Sequence, residues 1–151
     1  MVSKFWLLWA ISFLTVGTVA GCAGDGPPPT GGQTWLGEIQ RDIFDPSCAT
    51  AACHSASTSA AGLSLAPGES YDQLIDVEPQ NPTAAAAGLL LVEPGSIEGS
   101  YLVHKLTGDL QAGEGSIMPL LAPPLTQEQI ATVEAWIAAG ASPDAPPPPI
   151  P

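Results

Sequence analysis

The chain has 151 residues, of which 15 are acidic and only 3 are Lys or Arg, giving a net charge of −12 at neutral pH. A surface of this sign repels phosphate backbones, so the composition excludes nucleic acid as a partner. It also disfavours electrostatic binding to an anionic bilayer, whereas it favours rapid encounters with basic protein partners.

Residues 1–21 have the composition of a secretory signal. A single cation, Lys4, precedes an apolar stretch from Phe5 to Leu14, and small residues follow it. The apolar stretch is shorter than the roughly 20 residues that a helix needs to span a bilayer. We therefore expect residues 1–21 to direct export and to be removed.

The export segment ends in Val19-Ala20-Gly21-Cys22, which resembles the lipobox of bacterial lipoproteins. The resemblance implies that Cys22 is lipidated and becomes the first residue of the mature protein. Each buried methylene contributes roughly 0.8 kcal/mol, so several acyl chains on one residue give firm anchoring. Alanine rather than aspartate at position 23 favours the outer membrane. We expect a cell-envelope protein that contacts the membrane through this lipid alone and faces the periplasm or the exterior.

The mature chain divides into three parts by composition. Residues 22–34 are rich in Gly, Pro and Thr and predict a flexible tether. Residues 142–151 are a proline-rich tail that favours an extended conformation. The residues between them, 35–141, suffice for a single small domain.

Apolar residues at helical spacing predict helices over Trp35–Phe44, Ser70–Ile75 and Ser100–Leu106. Glycine- and proline-rich stretches, among them residues 113–119, predict loops between them. No segment alternates well enough to form a sheet. The domain is therefore predicted to be small, all-α and rich in loops.

The last helix has the clearest sequence markers. Thr126 and Gln129 have the spacing of a capping box, and Gly140 supplies a stop. One face of this helix carries the apolar residues Ile130, Val133, Trp136 and Ile137. We expect that face to pack into the core.

Two cysteines remain in the domain, Cys48 and Cys53, and His54 follows directly. Cys-x2-Cys-His is the haem-attachment signature, in which both thiols form thioethers and the histidine binds the iron. The spacing here is two residues longer, but the intervening residues 49–52 are small and can bulge outward. We interpret Cys48, Cys53 and His54 as a haem c attachment site.

Met118 is the only methionine that remains after the signal is removed, and it lies in the segment Gly115-Ser116-Ile117-Met118-Pro119. A thioether on a stiff, turn-rich loop suits a second axial ligand of haem iron. The alternative is that Met118 fills a gap in the core. We favour the ligand, because a methionine between glycines and a proline is poorly placed for core packing.

These features together resemble a class I cytochrome c: a helix, the Cys48…Cys53-His54 motif, the Met118-Pro119 loop and a final helix bearing Trp136. More narrowly, four segments are similar to the cytochrome c-like domains of planctomycete and myxobacterial proteins, which often have the long cysteine spacing. These segments are Ala61–Leu65, Pro94–Leu102, Lys105–Gly108 and Ser116–Pro119. The similarity covers roughly Ile39 to Ala141.

The resemblance implies a small all-α fold with three to five helices around one haem. It implies that Cys48 and Cys53 bind haem c, that His54 is the proximal ligand and that Met118 is the distal one. Trp136 would pack against the haem side or in the contact of the terminal helices. The expected function is an electron-transfer module rather than an enzyme, with redox protein partners that carry basic patches.

Three alternatives remain open from the residues alone. His104 could replace Met118 as the sixth ligand, and Lys105 is a weaker candidate because it would have to lose its proton. Cys48 and Cys53 could instead form a disulfide in a non-haem structural or binding lipoprotein with the same fold. A metal ion other than haem iron could use Cys48, Cys53, His54 and His104.

Replacing Cys22 by Ala removes the only atom of that side chain that can accept a lipid. We expect Cys22→Ala protein to keep its signal or to be released in soluble form. Metabolic labelling with palmitate measures this, and only the wild-type protein should be labelled. Equal labelling of both proteins would contradict the anchor.

Overall fold

The computed structural model describes residues 34–148. The predicted signal, Cys22, the tether as far as residue 33 and the last three residues of the tail lie outside the described residues. Within residues 34–148 the chain forms helices, turns and isolated β-bridges but no strand. This part is all-α, as the sequence predicts. None of its helices combines the length and apolar character that crossing a membrane requires.

Five α-helices lie in the described part: α1 (Trp35–Ile39), α2 (Ser70–Leu74), α3 (Pro82–Ala86), α4 (Tyr101–Thr107) and α5 (Gln127–Ala138). A π-helical segment, Gln40–Cys48, continues α1 directly, and a short 3-10 turn covers Ala60–Gly62. The predicted helices that became α2, α4 and α5 are confirmed to within two residues at their ends.

The first helix extends further than its apolar spacing predicts. It begins after Thr34, whose hydroxyl accepts a hydrogen bond from the Gly37 amide at 3.1 Å. Its predicted end at Phe44 is wrong, because the wider π-helical winding carries the chain on to Cys48. Ile39 at the end of α1 and Phe44 on the π-helical segment are almost completely buried. The helix thus connects the core to the first cysteine.

The start and end of α5 are those that the sequence predicts. The Thr126 hydroxyl accepts from the Gln129 amide at 3.2 Å, and the Gln129 side chain accepts from the Thr126 amide at 3.0 Å. The helix ends just before Gly140, which has a φ of 97°. Its predicted apolar face is buried, and Trp136 is 0% exposed.

Helix α5 packs against both α1 and α4, so its apolar face forms the centre of the core. The Trp136 indole N–H donates to the carbonyl of Ser142 at 2.9 Å. The amide of Trp35 donates to the carbonyl of Ala145 at 2.8 Å. The first residues of the predicted tail are therefore hydrogen-bonded to the helical domain.

Helix α3 has no counterpart among the helices predicted from the sequence. The Asn81 side chain accepts from the amides of Thr83 and Ala84 at 3.0 and 2.9 Å, and Pro82 occupies the first helical position. Asparagine followed by proline is a typical helix start. The alanine run that follows has no apolar stripe, so a search for amphipathic spacing overlooks it.

Thr126→Ala should lower the free energy of unfolding by about 1 kcal/mol, because it removes the hydroxyl that caps α5. Thr132→Ala is the matched control, since that hydroxyl donates only to the Glu128 carbonyl one turn earlier on the same helix. Alanine is the better helix former there, so the control should be neutral or slightly stabilising. Urea unfolding of both variants measures the difference, and equal midpoints would contradict the capping role.

Candidate functional site

A cavity of about 640 Å³ is lined by residues from the end of the π-helical segment, the loop after it, α2, the segments around α3, α4 and the loop before α5. Its walls are mainly apolar and include Leu63, Leu65, Leu91, Leu102 and Leu106. Cys48, Cys53, His54 and Met118 also line it. The fold thus brings to one cavity the four side chains that the sequence assigns to haem binding.

A closed backbone turn connects the two cysteines to the histidine. The amide of His54 donates to the carbonyl of Cys48 at 3.0 Å, and the amide of Cys53 donates to that of Thr50 at 2.9 Å. Ala51 lies exposed on this turn, and its carbonyl accepts from the Thr58 hydroxyl at 2.6 Å. The longer cysteine spacing is therefore taken up by a hydrogen-bonded bulge that leaves both cysteines beside the cavity.

The ring of His54 has a defined tautomer. Its Nδ1 lies 3.2 Å from the carbonyl oxygen of Leu63, which can only accept. Nδ1 therefore carries the proton, and in the neutral ring Nε2 keeps its lone pair. The backbone carbonyl of His54 accepts from the Leu65 amide at 2.8 Å. These contacts fix the residue and leave one nitrogen able to bind a metal.

Both cysteines in the described residues are free thiols, and both are partly buried. Burial, with a smaller contribution from the nearby Cys53, raises the pKa of the Cys48 thiol to about 11. At neutral pH Cys48 is accordingly a protonated thiol with an apolar environment.

Met118 is held against α4 by its backbone. Its amide donates to the carbonyl of Lys105 at 2.7 Å. The loop that leads to it turns through Gly113 and Gly115, which have φ values of 97° and 87°, a region open to glycine but strained for other residues. The sequence prediction of a turn-rich loop here is confirmed, and the loop delivers Met118 to the cavity lining.

Tyr101 and Glu114 also line the cavity, which the sequence did not indicate, and so does Lys105, which the sequence offered only as a weak candidate for the sixth ligand. Tyr101 and Lys105 lie one turn apart on α4, and the ammonium is 5.1 Å from the centre of the Tyr101 ring. Burial raises the pKa of Tyr101, and the charge of Glu114 adds to that rise. Burial lowers the pKa of Lys105, and the same Glu114 charge opposes that change. The i, i+4 spacing of Tyr101 and Lys105 was the available signal.

His104 and Trp136, which the sequence offers as site residues, are not among the residues that line the cavity. His104 points its Nε2 at the carbonyl of Glu98, 2.9 Å away, and its Nδ1 is buried without a partner. Trp136 is fully buried on α5, in the core cluster that also contains residues of α1. Within residues 34–148, no three His, Cys, Asp or Glu side chains are grouped so that they could hold a metal ion.

No protein-family model matches the chain, and neither the curated proteins nor the solved structures include one that is significantly similar to it. The cavity and the side chains that line it are therefore what indicates a function for the chain.

The raised pKa of Cys48 predicts slow alkylation of the reduced, haem-free protein. At pH 8 the thiolate fraction of a thiol with a pKa of about 11 is about a hundredfold below that of an unperturbed cysteine, so iodoacetamide should react slower by about that factor. The rate should rise as the pH approaches the pKa. Peptide mapping by mass spectrometry, with guanidinium-unfolded protein as the control, measures this. Equal rates in folded and unfolded protein would contradict the buried thiol.

Proposed function

We propose that this chain is a membrane-anchored c-type haem protein that acts as an electron-transfer module. One observation carries the proposal: Cys48, Cys53, His54 and Met118 line a single apolar cavity although Met118 is far from the others in the sequence. These are the two thiols and two axial ligands that a methionine-ligated haem c requires.

The size and chemistry of the cavity fit this cofactor. A volume of about 640 Å³ lies within the range of about 300–1,000 Å³ that is usual for cofactor pockets. The apolar walls suit a porphyrin face. Each thiol can add across a vinyl group, with sulfur bonding one carbon and the proton going to the other, so attachment needs no oxidant.

His54 is suited to serve as the proximal ligand. Its Nδ1–H donates to the Leu63 carbonyl at 3.2 Å, which leaves Nε2 as the metal-binding nitrogen. A histidine ligand held through its other nitrogen has a fixed orientation and greater basicity. The hydrogen bond from the His54 amide to the Cys48 carbonyl fixes the backbones of these two residues relative to each other, so the imidazole and the thiol stay close together.

Haem c would supply an iron that exchanges one electron. Binding by both His54 and Met118 would fill its two axial positions, which favours electron transfer over catalysis. The leucine walls are apolar, and a thioether ligand would favour ferrous iron, so the reduction potential should exceed that of a bis-histidine haem. The net charge of −12 favours redox partners with basic patches. A lipid on Cys22 would hold the domain at the envelope membrane.

Met118→Ala should convert the haem iron of the purified protein from low to high spin and open it to carbon monoxide or cyanide. His104→Ala is the matched control, because His104 hydrogen-bonds to Glu98 and is not among the lining residues. It should leave the spectrum unchanged. Absorbance spectra of both variants, made with c-type maturation machinery, measure the effect.

Two results would change the assignment. If His104→Ala alters the spin state and Met118→Ala does not, His104 is the sixth ligand and the Met118 assignment is wrong. If the wild-type protein has no Soret band, the haem proposal fails. In that case Cys48 and Cys53 would be assigned to a disulfide in a non-haem binding or structural lipoprotein.

A further inference from the structure

We infer that Lys105 is the positioning residue of the Met118 loop: its side chain and backbone hold alternate residues of that loop against α4. The part of this inference that treats Met118 as an iron ligand rests on the proposed function. The contacts themselves do not involve the haem.

Three residues of the loop, each two apart, are hydrogen-bonded to Lys105. The ammonium donates to the carbonyl of Glu114 at 2.8 Å and to that of Ser116 at 3.0 Å. The Lys105 carbonyl accepts from the amide of Met118 at 2.7 Å. We call these three hydrogen bonds the Lys105 clamp. Two of them are charge-assisted, which makes them stronger than neutral ones.

Helix α4 provides a rigid base for the clamp. Tyr101 lies one turn before Lys105 on the same face, and its hydroxyl also donates to the Glu114 carbonyl. The ammonium lies 5.1 Å from the Tyr101 ring centre, within the range of a cation–π contact. Tyr101 is buried, so the Lys105 stem packs on a fixed neighbour.

The loop has few other attachments among the described residues. Asn81 donates to the carbonyl of Gly113 at 3.0 Å, and the Glu114 carboxylate accepts from the Gln111 amide at 2.9 Å. The first contact lies before the clamp, and the second joins Glu114 to a residue of its own loop. Residues 115–117 are exposed, so the path from Glu114 to Met118 depends on Lys105.

Gly115 is the residue that lets the ammonium reach the backbone. A Cβ at this position would lie 2.9 Å from the Lys105 Nζ. Its φ of 87° also turns the chain so that the carbonyls of Glu114 and Ser116 both accept from one ammonium. Any larger residue at position 115 would push the ammonium away.

Lys105→Met in the full chain keeps an unbranched apolar stem but removes the terminal nitrogen and its donors. Arg41→Met is the matched control, because it makes the same change in net charge on the distant π-helical segment. Amide hydrogen exchange at Met118 should become about tenfold faster in Lys105→Met and remain unchanged in the control.

The haem-loaded protein gives a second readout, the weak far-red absorption band that arises from a methionine–iron bond. Lys105→Met should weaken this band and speed cyanide binding by about tenfold. Lys105→Arg keeps donors for both carbonyls, so it should bring the Met118 exchange rate, the far-red band and the cyanide-binding rate most of the way back to their wild-type values.

Gly115→Ala is a second route if Lys105→Met fails to fold. Its control is Gly140→Ala, where φ is 97° but a Cβ meets nothing within 4 Å, so the backbone strain is matched and Lys105 is not disturbed. Gly115→Ala should speed hydrogen exchange at Met118 and weaken the far-red band, both by more than Gly140→Ala does.

Equal Met118 exchange in each variant and its control would overturn the clamp, whether or not haem is bound. Faster exchange with an unchanged far-red band and cyanide rate would show that Lys105 holds the loop without positioning the ligand, which also overturns the inference. A wild-type protein without a Soret band would refute the proposed function alone. The exchange rates would still decide the clamp.

Discussion

The hydrogen bond from the His54 amide to the Cys48 carbonyl, 3.0 Å long, is the constraint on which the site depends. It closes a turn at the end of the π-helical segment and so joins both thiols and the imidazole into one rigid unit. The π-helical winding brings that turn to the cavity, and burial of Ile39 and Phe44 anchors the winding in the core. A change in this turn would move the cysteines and the histidine together.

The other half of the site is built on α4. That helix is fixed by its packing on α5, and it holds the Met118 loop through Lys105. The two halves are far apart in the sequence, and α5 packs against both α1 and α4. The core around Trp136 therefore acts on the site indirectly, by setting the distance between the two elements that carry its functional groups. Trp136 itself lies in the core and is not among the residues that line the cavity.

The sequence predicted those features that local patterns encode. The capping box of α5 and its buried face depend on residues within two turns of each other, so spacing alone suffices. The Cys48, Cys53 and His54 cluster is likewise local. The π-helical continuation to Cys48 was not predictable, because its widening arises from packing that an ideal helical period does not describe. The Lys105 clamp depends on the path of the loop between Lys105 and Met118, which no local spacing specifies. The haem ligands remain a prediction from sequence and cavity together.

The central claim is that Cys48 and Cys53 bind haem covalently. The most direct measurement is acid–acetone extraction of the purified full chain made with c-type maturation machinery, followed by a haem stain of the denatured protein. The account predicts that haem stays on the wild-type chain and that a Cys48→Ala, Cys53→Ala double variant loses it. Complete extraction of haem from the wild type, or no haem at all, would contradict it.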